Sequence, residues 1–182
     1  MSEALMEIFD GIEKARASRQ SAWVKPGHYI YNINKIKLGK TRADDVFMAV
    51  ELTILHTQGE CEQKVGQEVT HMLMKKHDSF LGNVKAIIAS ICEVDEDDVT
   101  QEDCARVCLD DGSEQAQPLT GVAVECVNAN IATRKGGIFT QVKYKGVVSA
   151  VRLKELLPED SQIMFYPGGE LDRLVALEEE ED

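Results

Sequence analysis

The amino-acid sequence predicts an α+β protein that is mainly β: a five-stranded antiparallel barrel with a helix between strands 3 and 4 and a further helix at the N-terminus. Two observations lead to this prediction. Apolar residues alternate with a period of two in five stretches, each bounded by glycine, proline or charged residues. Between the third and fourth stretches, apolar residues recur at helical spacing instead.

The first three strands are predicted at 28–38, 46–57 and 67–77. Simple alternation places five residues of the first strand on one face: Tyr29, Tyr31, Ile33, Lys35 and Lys37. The second strand alternates in the same way and turns Phe47 away from its apolar residues.

A helix at 79–92 carries an apolar stripe, and the acidic stretch after it contains a short helix near 101–109 with Thr100 as its N-cap. The last two strands, 121–133 and 138–144, are joined at Lys135-Gly136-Gly137, a hairpin turn signal. Three strands, a helix and a final hairpin match the order of the Greek-key barrel called the OB-fold. A meander with an appended helix would produce the same order.

Three regions are therefore expected: an N-terminal helix and basic arm (1–23), an OB-fold-like domain (24–157) and a flexible acidic C-terminal tail (158–182). The first residues lack the basic start and small-residue cleavage site of a signal peptide. No apolar run approaches the roughly 20 residues that a membrane-spanning helix needs. These features predict a cytoplasmic protein that does not bind a membrane.

Charge is segregated along the chain, although the formal net charge is −12. Residues 93–114 contain ten acids and a single basic residue, Arg106, and the last five residues are all acidic. From Arg134 to Lys154 there are six basic residues and no acid. A phosphate backbone needs such a local concentration of Lys and Arg, so the overall negative charge does not exclude nucleic acid as a partner.

Aromatic and basic side chains alternate on the predicted strands, which is the combination that binds single strands by base stacking and phosphate contacts. The candidate nucleic-acid-binding residues are Trp23, Tyr29, Tyr31, Lys35, Lys37, Lys40, Arg42, Phe47, Arg134, Lys135, Phe139, Lys143 and Lys145. Such contacts serve DNA and RNA alike. The alternative interpretation is an ordinary solvated face, because lysines on strands are often simply exposed.

The acidic terminus comprises Glu178, Glu179, Glu180, Glu181 and Asp182. A block of like charges stays solvated, and a tethered anion competes with DNA for a cationic surface. The terminus is therefore predicted either to mask the binding surface or to bind replication and recombination proteins. A tail that only improves solubility is the alternative.

Three segments together resemble the single-stranded DNA-binding proteins of bacteriophages: GHYIYNINKIK, the basic hairpin GGIFTQVKYKG and the ending LVALEEEED. The resemblance covers roughly residues 24–182. It implies sequence-independent binding of single-stranded DNA during replication, recombination or repair in the cytoplasm of the host cell.

No phosphate loop, nucleophile elbow or zinc-protease motif occurs, so the sequence predicts neither an enzyme nor a cofactor. Five cysteines at irregular spacing predict reduced thiols rather than disulfides or a metal site.

Two other functions are left open. One is a β-barrel virion or assembly protein that docks a basic partner, and the other is a small metal-dependent enzyme using His and Asp residues. Association with further copies of the chain is also left open.

Overall fold

The computed structural model describes residues 22–181, so the predicted N-terminal helix lies outside the described residues. The strands are β1 (Ala22–Trp23), β2 (Gly27–Lys40), β3 (Val46–Gln58), β4 (Glu68–Met74), β5 (Ala123–Ala132) and β6 (Ile138–Val147). The α-helices are α1 (Phe80–Cys92), α2 (Gln101–Val107), α3 (Ala150–Leu156), α4 (Glu159–Phe165) and α5 (Glu170–Glu181). Short 3₁₀ turns occupy Glu96–Asp98 and Pro167–Gly169.

The strands form one open, mixed sheet in the order β1-β4-β3-β2-β5-β6. The α+β class is confirmed, but the closed five-stranded barrel predicted from the sequence is wrong. β1 pairs in parallel with the free edge of β4, placing Trp23 opposite Thr70, so this part of the edge is not available to β6. Helix α1 packs against β6, and the Ser90 hydroxyl donates to the Tyr144 carbonyl at 3.2 Å. A closed barrel needs a backbone ladder between its two end strands, whereas among the described strands β6 pairs with β5 alone.

A side-chain hydrogen bond joins β4 and β6 across the interior where the barrel would have closed. It lies between Nδ1 of His71 and the hydroxyl of Tyr144, 3.1 Å apart, and the two rings are 5.8 Å apart at their centroids. His71 is only 7% exposed, and burial lowers its pKa from 6.5 to about 4. The ring is therefore neutral at physiological pH and can accept a hydrogen bond.

The inner face of the sheet packs against α1 and α2 and forms the main core. Val84, Ile87, Ile88 and Ile91 project from α1 at helical spacing onto residues of β2, β3 and β4. Thr100 begins α2 with a reciprocal capping box, in which its hydroxyl accepts from the Asp103 amide while the Asp103 carboxylate accepts from the Thr100 amide. The predicted helices at 79–92 and 101–109 are thus confirmed, with ends that differ by one or two residues.

Helices α3, α4 and α5 cover part of the outer face of the sheet. A second core there joins Ile30, Leu55 and Ala123 of the strands to apolar side chains of the C-terminal segment, among them Leu153, Leu157, Tyr166 and Leu171. The sequence predicted a flexible tail for 158–182, whereas the structure contains two helices there. The apolar residues between the acids bury surface against the sheet, and this burial favours an ordered segment.

Gly27 allows the chain to enter β2 beside a tyrosine ring. Its φ is +145°, and a Cβ atom at this position would lie 2.7 Å from the ring of Tyr29 and 2.8 Å from the sulfur of Cys61. A side chain here would be strained by both the backbone and the contacts. The Tyr29 ring therefore packs directly against the backbone of Gly27.

Candidate nucleic-acid interface

Tyr29 and Tyr31, predicted to stack on bases, are both fully buried on the inner face. Their rings stack on each other with centroids 5.2 Å apart. The Tyr29 hydroxyl donates to the Pro26 carbonyl at 2.9 Å, and the Tyr31 hydroxyl accepts from the Asn128 side-chain amide at 2.9 Å. Burial raises the pKa of Tyr29 to about 12 and that of Tyr31 further. Neither ring can present a face to a base.

A β-bulge explains why the predicted shared face of these tyrosines with Lys35 and Lys37 is wrong. Ile33 pairs with Leu52 and Lys35 with Glu51, so Asn34 has no opposite residue. One extra residue reverses the alternation for the rest of the strand. Tyr29, Tyr31 and Ile33 therefore point inward, whereas Lys35 and Lys37 point to the outer face.

The lysines near the end of β2 are neutralised by acids. Lys35 contacts Asp110 at 2.6 Å, and Lys40 contacts Asp44 at 2.9 Å. Lys37 forms an ion pair with Glu51 on the neighbouring strand. These three lysines would have to break existing ion pairs to bind a phosphate group. They are therefore poorer candidates for a binding role than unpaired lysines.

Two further candidates, Arg42 and Phe47, lie at the same end of the sheet. Arg42 is exposed in the turn between β2 and β3. The ring of Phe47 lies over Gly39 on the paired strand, where an added Cβ would approach the ring to 2.6 Å. The contact with Gly39 gives Phe47 a packing role.

The last hairpin keeps its predicted exposure. Asn128, opposite Gly27, ends the pairing of β5 with β2, and beyond it Ala129–Ala132 pair only with residues 138–141 of β6. The turn closes with the Thr133 amide donating to the Gly137 carbonyl at 2.7 Å, and Gly136 has φ +83°. We call residues 126–145 the cationic ribbon. Residues 129–132 and 138–141, which pair only with each other, extend on the order of 13 Å beyond β2 before the turn, at about 3.3 Å per residue.

The cationic ribbon contains four basic residues and no acid. Arg134 and Lys135 lie in the turn, and Lys143 and Lys145 lie on β6; all four are exposed. None of them forms an ion pair within residues 22–181. The ribbon is therefore a source of positive charge that no carboxylate in the described part of the chain neutralises through an ion pair.

Phe139 supplies an accessible ring on the same ribbon. It is 49% exposed, and its register opposite Ile131 places it on one face with Gln141 and Lys143, which lie opposite Ala129 and Val127. Ile138, the preceding residue, is 72% exposed on the other face. The Phe139 ring and the Lys143 side chain thus share one side of a narrow β-ribbon.

Trp23 is the second accessible aromatic side chain, with 59% exposure. Two residues later the Lys25 carbonyl accepts a hydrogen bond from the Asn128 side chain of β5 at 2.9 Å. Because two residues span at most about 7 Å, the backbone of Trp23 lies near the base of the cationic ribbon.

The predicted binding residues do not converge on a single surface. Lys143 lies opposite Val127, which in turn lies opposite His28 at the start of β2. Lys35 is seven residues further along β2, on the order of 20 Å away. Ile30, between them, is covered by the C-terminal helices. The cationic ribbon and the lysines at the far end of β2 are thus separate regions.

Glu178, the first residue of the acidic terminus, is already hydrogen-bonded to the start of α3. The carboxylate of Glu178 accepts from the amides of Ala150 at 2.7 Å and Val151 at 3.2 Å, and so caps α3. Glu179 and Glu180 are exposed, and neither forms an ion pair within the described residues. α5 ends at Glu181, and Asp182 lies outside the described part of the chain.

The five cysteines are free. Burial raises the pKa of Cys108 to about 11 and that of Cys126 further, which leaves little reactive thiolate at neutral pH. Among residues 22–181, no three His, Cys, Asp or Glu side chains come together in an arrangement that could hold a metal ion. In the same part of the chain, no helix is both long and apolar enough to cross a membrane.

Comparison with known proteins does not assign a family. No protein-family model matches this chain, and a search among curated proteins finds no match. A function for this protein therefore has to be inferred from the geometry of residues 22–181.

Proposed function

We propose that this protein binds single-stranded DNA without sequence specificity and that the cationic ribbon is the main contact surface. The unpaired charge of Arg134, Lys135, Lys143 and Lys145, beside the exposed ring of Phe139, is the observation that supports this function. Cationic side chains follow a phosphate backbone and an accessible ring stacks on any base. Phosphate contacts and base stacking do not distinguish one base from another.

A fluorescence-anisotropy titration of the purified protein with labelled oligo-dT tests the proposal. We expect binding at about 50 mM salt that weakens steadily as salt is added, because each phosphate contact releases counterions. Mixed-sequence oligonucleotides of the same length should bind within a fewfold of oligo-dT. Absence of binding at low salt, or preference for one sequence, would contradict the proposal.

Phe139→Ala should weaken binding by roughly five- to 150-fold, since stacking on one base contributes about 1–3 kcal/mol. Ile138→Ala is the matched control: it removes an exposed apolar side chain from the opposite face and should leave the affinity within about twofold. Equal losses in the two variants would show that the ring does not act by stacking.

The acidic end of α5 is proposed to compete with DNA at short range. It reaches the start of α3, one residue before Arg152, and so lies near the outer face next to the ribbon.

Exposed Leu174 and Leu177 on the same helix support a second candidate function, docking of a basic protein partner through α5. An apolar side chain bordered by acids fits a partner that is both apolar and basic.

Replacing Glu179 and Glu180 together by Gln tests the competition without disturbing the Glu178 contact. We expect oligo-dT to bind about two- to fourfold more tightly at low salt, with the gain lost at high salt, where screening removes it. Removing residues 178–182 is a less specific test of competition, because it also removes the Glu178 carboxylate that caps α3. Glu159→Gln with Asp160→Asn makes the same change of charge on α4, and an equal gain there would contradict local masking.

A further inference from the structure

The side chains of His28, Glu125 and Arg152 meet on the outer face at the base of the cationic ribbon. The His28 ring donates from Nε2 to one oxygen of Glu125 at 2.7 Å. The other oxygen of Glu125 lies 3.4 Å from the Arg152 guanidinium. A single carboxylate is thus held between two groups that donate hydrogen bonds to anions.

The sheet register places this cluster next to the ribbon lysines. His28, Val127 and Lys143 occupy neighbouring positions in one row across β2, β5 and β6. Glu125 lies two residues along β5 in the next row, opposite Gly146. At ordinary sheet spacings the backbones of Glu125 and Lys143 are about 8 Å apart.

The cluster is accessible to a large ligand. The side chain of Arg152 is 53% exposed, that of His28 32% and that of Glu125 19%. Arg152 and Lys154 are also the last two basic residues of the acid-free stretch that begins at Arg134, and Lys154 is occupied by Asp172 at 2.7 Å. The Arg152 guanidinium has five N–H donors, and its contact with one oxygen of Glu125 leaves several of them free to bind a phosphate group.

We propose that His28 and Arg152 form a phosphate-binding site at the inner end of the cationic ribbon, and that Glu125 occupies this site in the free protein and limits nucleic-acid affinity. The carboxylate stands where a backbone phosphate would lie, with one oxygen directed to each donor. A strand that leaves the ribbon at Lys143 reaches the site by displacing Glu125 from Arg152. This inference rests on the proposed function, since it extends the path of the same strand.

Glu125→Gln tests the proposal, because it keeps the shape of the side chain and removes its charge. We expect oligo-dT to bind about three- to eightfold more tightly at about 50 mM salt, with the salt slope steeper by about 0.7, the value for one added phosphate contact on a single strand. Glu51→Gln is the matched control: it removes an equal charge beside Lys37 on the same face, away from the ribbon, and should change the affinity by less than about twofold.

A double-variant cycle separates the site from a general change of charge. The gain from Glu125→Gln should disappear when Arg152 is also replaced by Gln, because both changes act on one contact. Arg152→Gln alone should weaken binding about threefold, whereas Arg106→Gln, at an exposed position of α2, should not. Thermal unfolding of each variant checks that the fold is retained.

The titrations of the wild type and the variants distinguish failure of the proposed function from failure of the phosphate-binding site. If the wild-type protein does not bind oligo-dT, the proposed function is overturned, and this inference with it. If the wild type binds but the gain from Glu125→Gln is absent, is matched by Glu51→Gln or persists without Arg152, this inference alone is overturned.

Discussion

Replacing Arg134, Lys135, Lys143 and Lys145 together by Gln should nearly abolish the salt-sensitive part of DNA binding. Four phosphate contacts on a single strand correspond to a slope of about −3 in log K against log salt, which weakens wild-type binding roughly fifty-fold between about 50 and 200 mM salt. The variant should bind weakly at both concentrations and show a slope close to zero. Anisotropy titrations with oligo-dT at several salt concentrations measure both quantities.

A matched set of four lysines elsewhere on the chain provides the control. Lys35, Lys37, Lys40 and Lys76 are each engaged by an acid. Replacing these four by Gln changes the net charge by the same amount but removes side chains that are already neutralised. We expect a loss of less than about fivefold. An equal loss of affinity in the two sets would show that total charge, not the ribbon, determines binding.

Acid should destabilise the fold through His71. Its pKa is about 4 in the folded protein and 6.5 in the unfolded chain, so between these values the unfolded chain binds the extra proton. Stability from the neutral ring is complete above about pH 6.5 and is lost as the pH falls towards 4. The free energy of unfolding should fall by about 3 kcal/mol over this interval from His71 alone. Urea unfolding at a series of pH values measures the fall.

His71→Gln keeps a polar partner for Tyr144 but cannot titrate, so most of this acid sensitivity should disappear. A smaller part should remain because burial, together with the nearby His28, lowers the pKa of His56 in the same direction. His77→Gln, at an exposed turn after β4, is the control and should behave as wild type. An unchanged pH dependence in His71→Gln would rule out the buried ring as the source.

Local patterns predicted the strands well because the main strands each turn a row of apolar side chains towards the main core. The alternation of Met48, Val50, Leu52 and Ile54 places four apolar side chains in the core, and the structure confirms this strand. The hairpin at Lys135-Gly136-Gly137 is also confirmed, since Gly136 adopts the positive φ that its turn requires. Thr100 was identified as a cap from its position before a short helix, and its capping box is present.

The candidate site was predicted only in part. Phe139, Lys143 and the turn cations are exposed, as the alternation at 138–144 indicated. The orientation of Tyr29 and Tyr31 relative to Lys35 and Lys37 depends on the extra residue Asn34, which simple alternation does not count. The change of phase between the apolar residues Ile33 and Ile36 was the signal available for this bulge. His28 and Glu125 were not predicted as a pair, because residues 97 positions apart meet only through strand pairing. The presence of Arg152 in the acid-free stretch was the one signal available for this cluster.

The sequence by itself determined the α+β class, the positions of the five main strands and the concentration of positive charge at 134–154, because each depends on neighbouring residues alone. Only the tertiary structure decided that the sheet stays open, that acids neutralise Lys35, Lys37 and Lys40, and that the C-terminal segment packs as helices. These features depend on which distant segments meet, since an ion pair or an occupied sheet edge is a property of two parts of the chain at once.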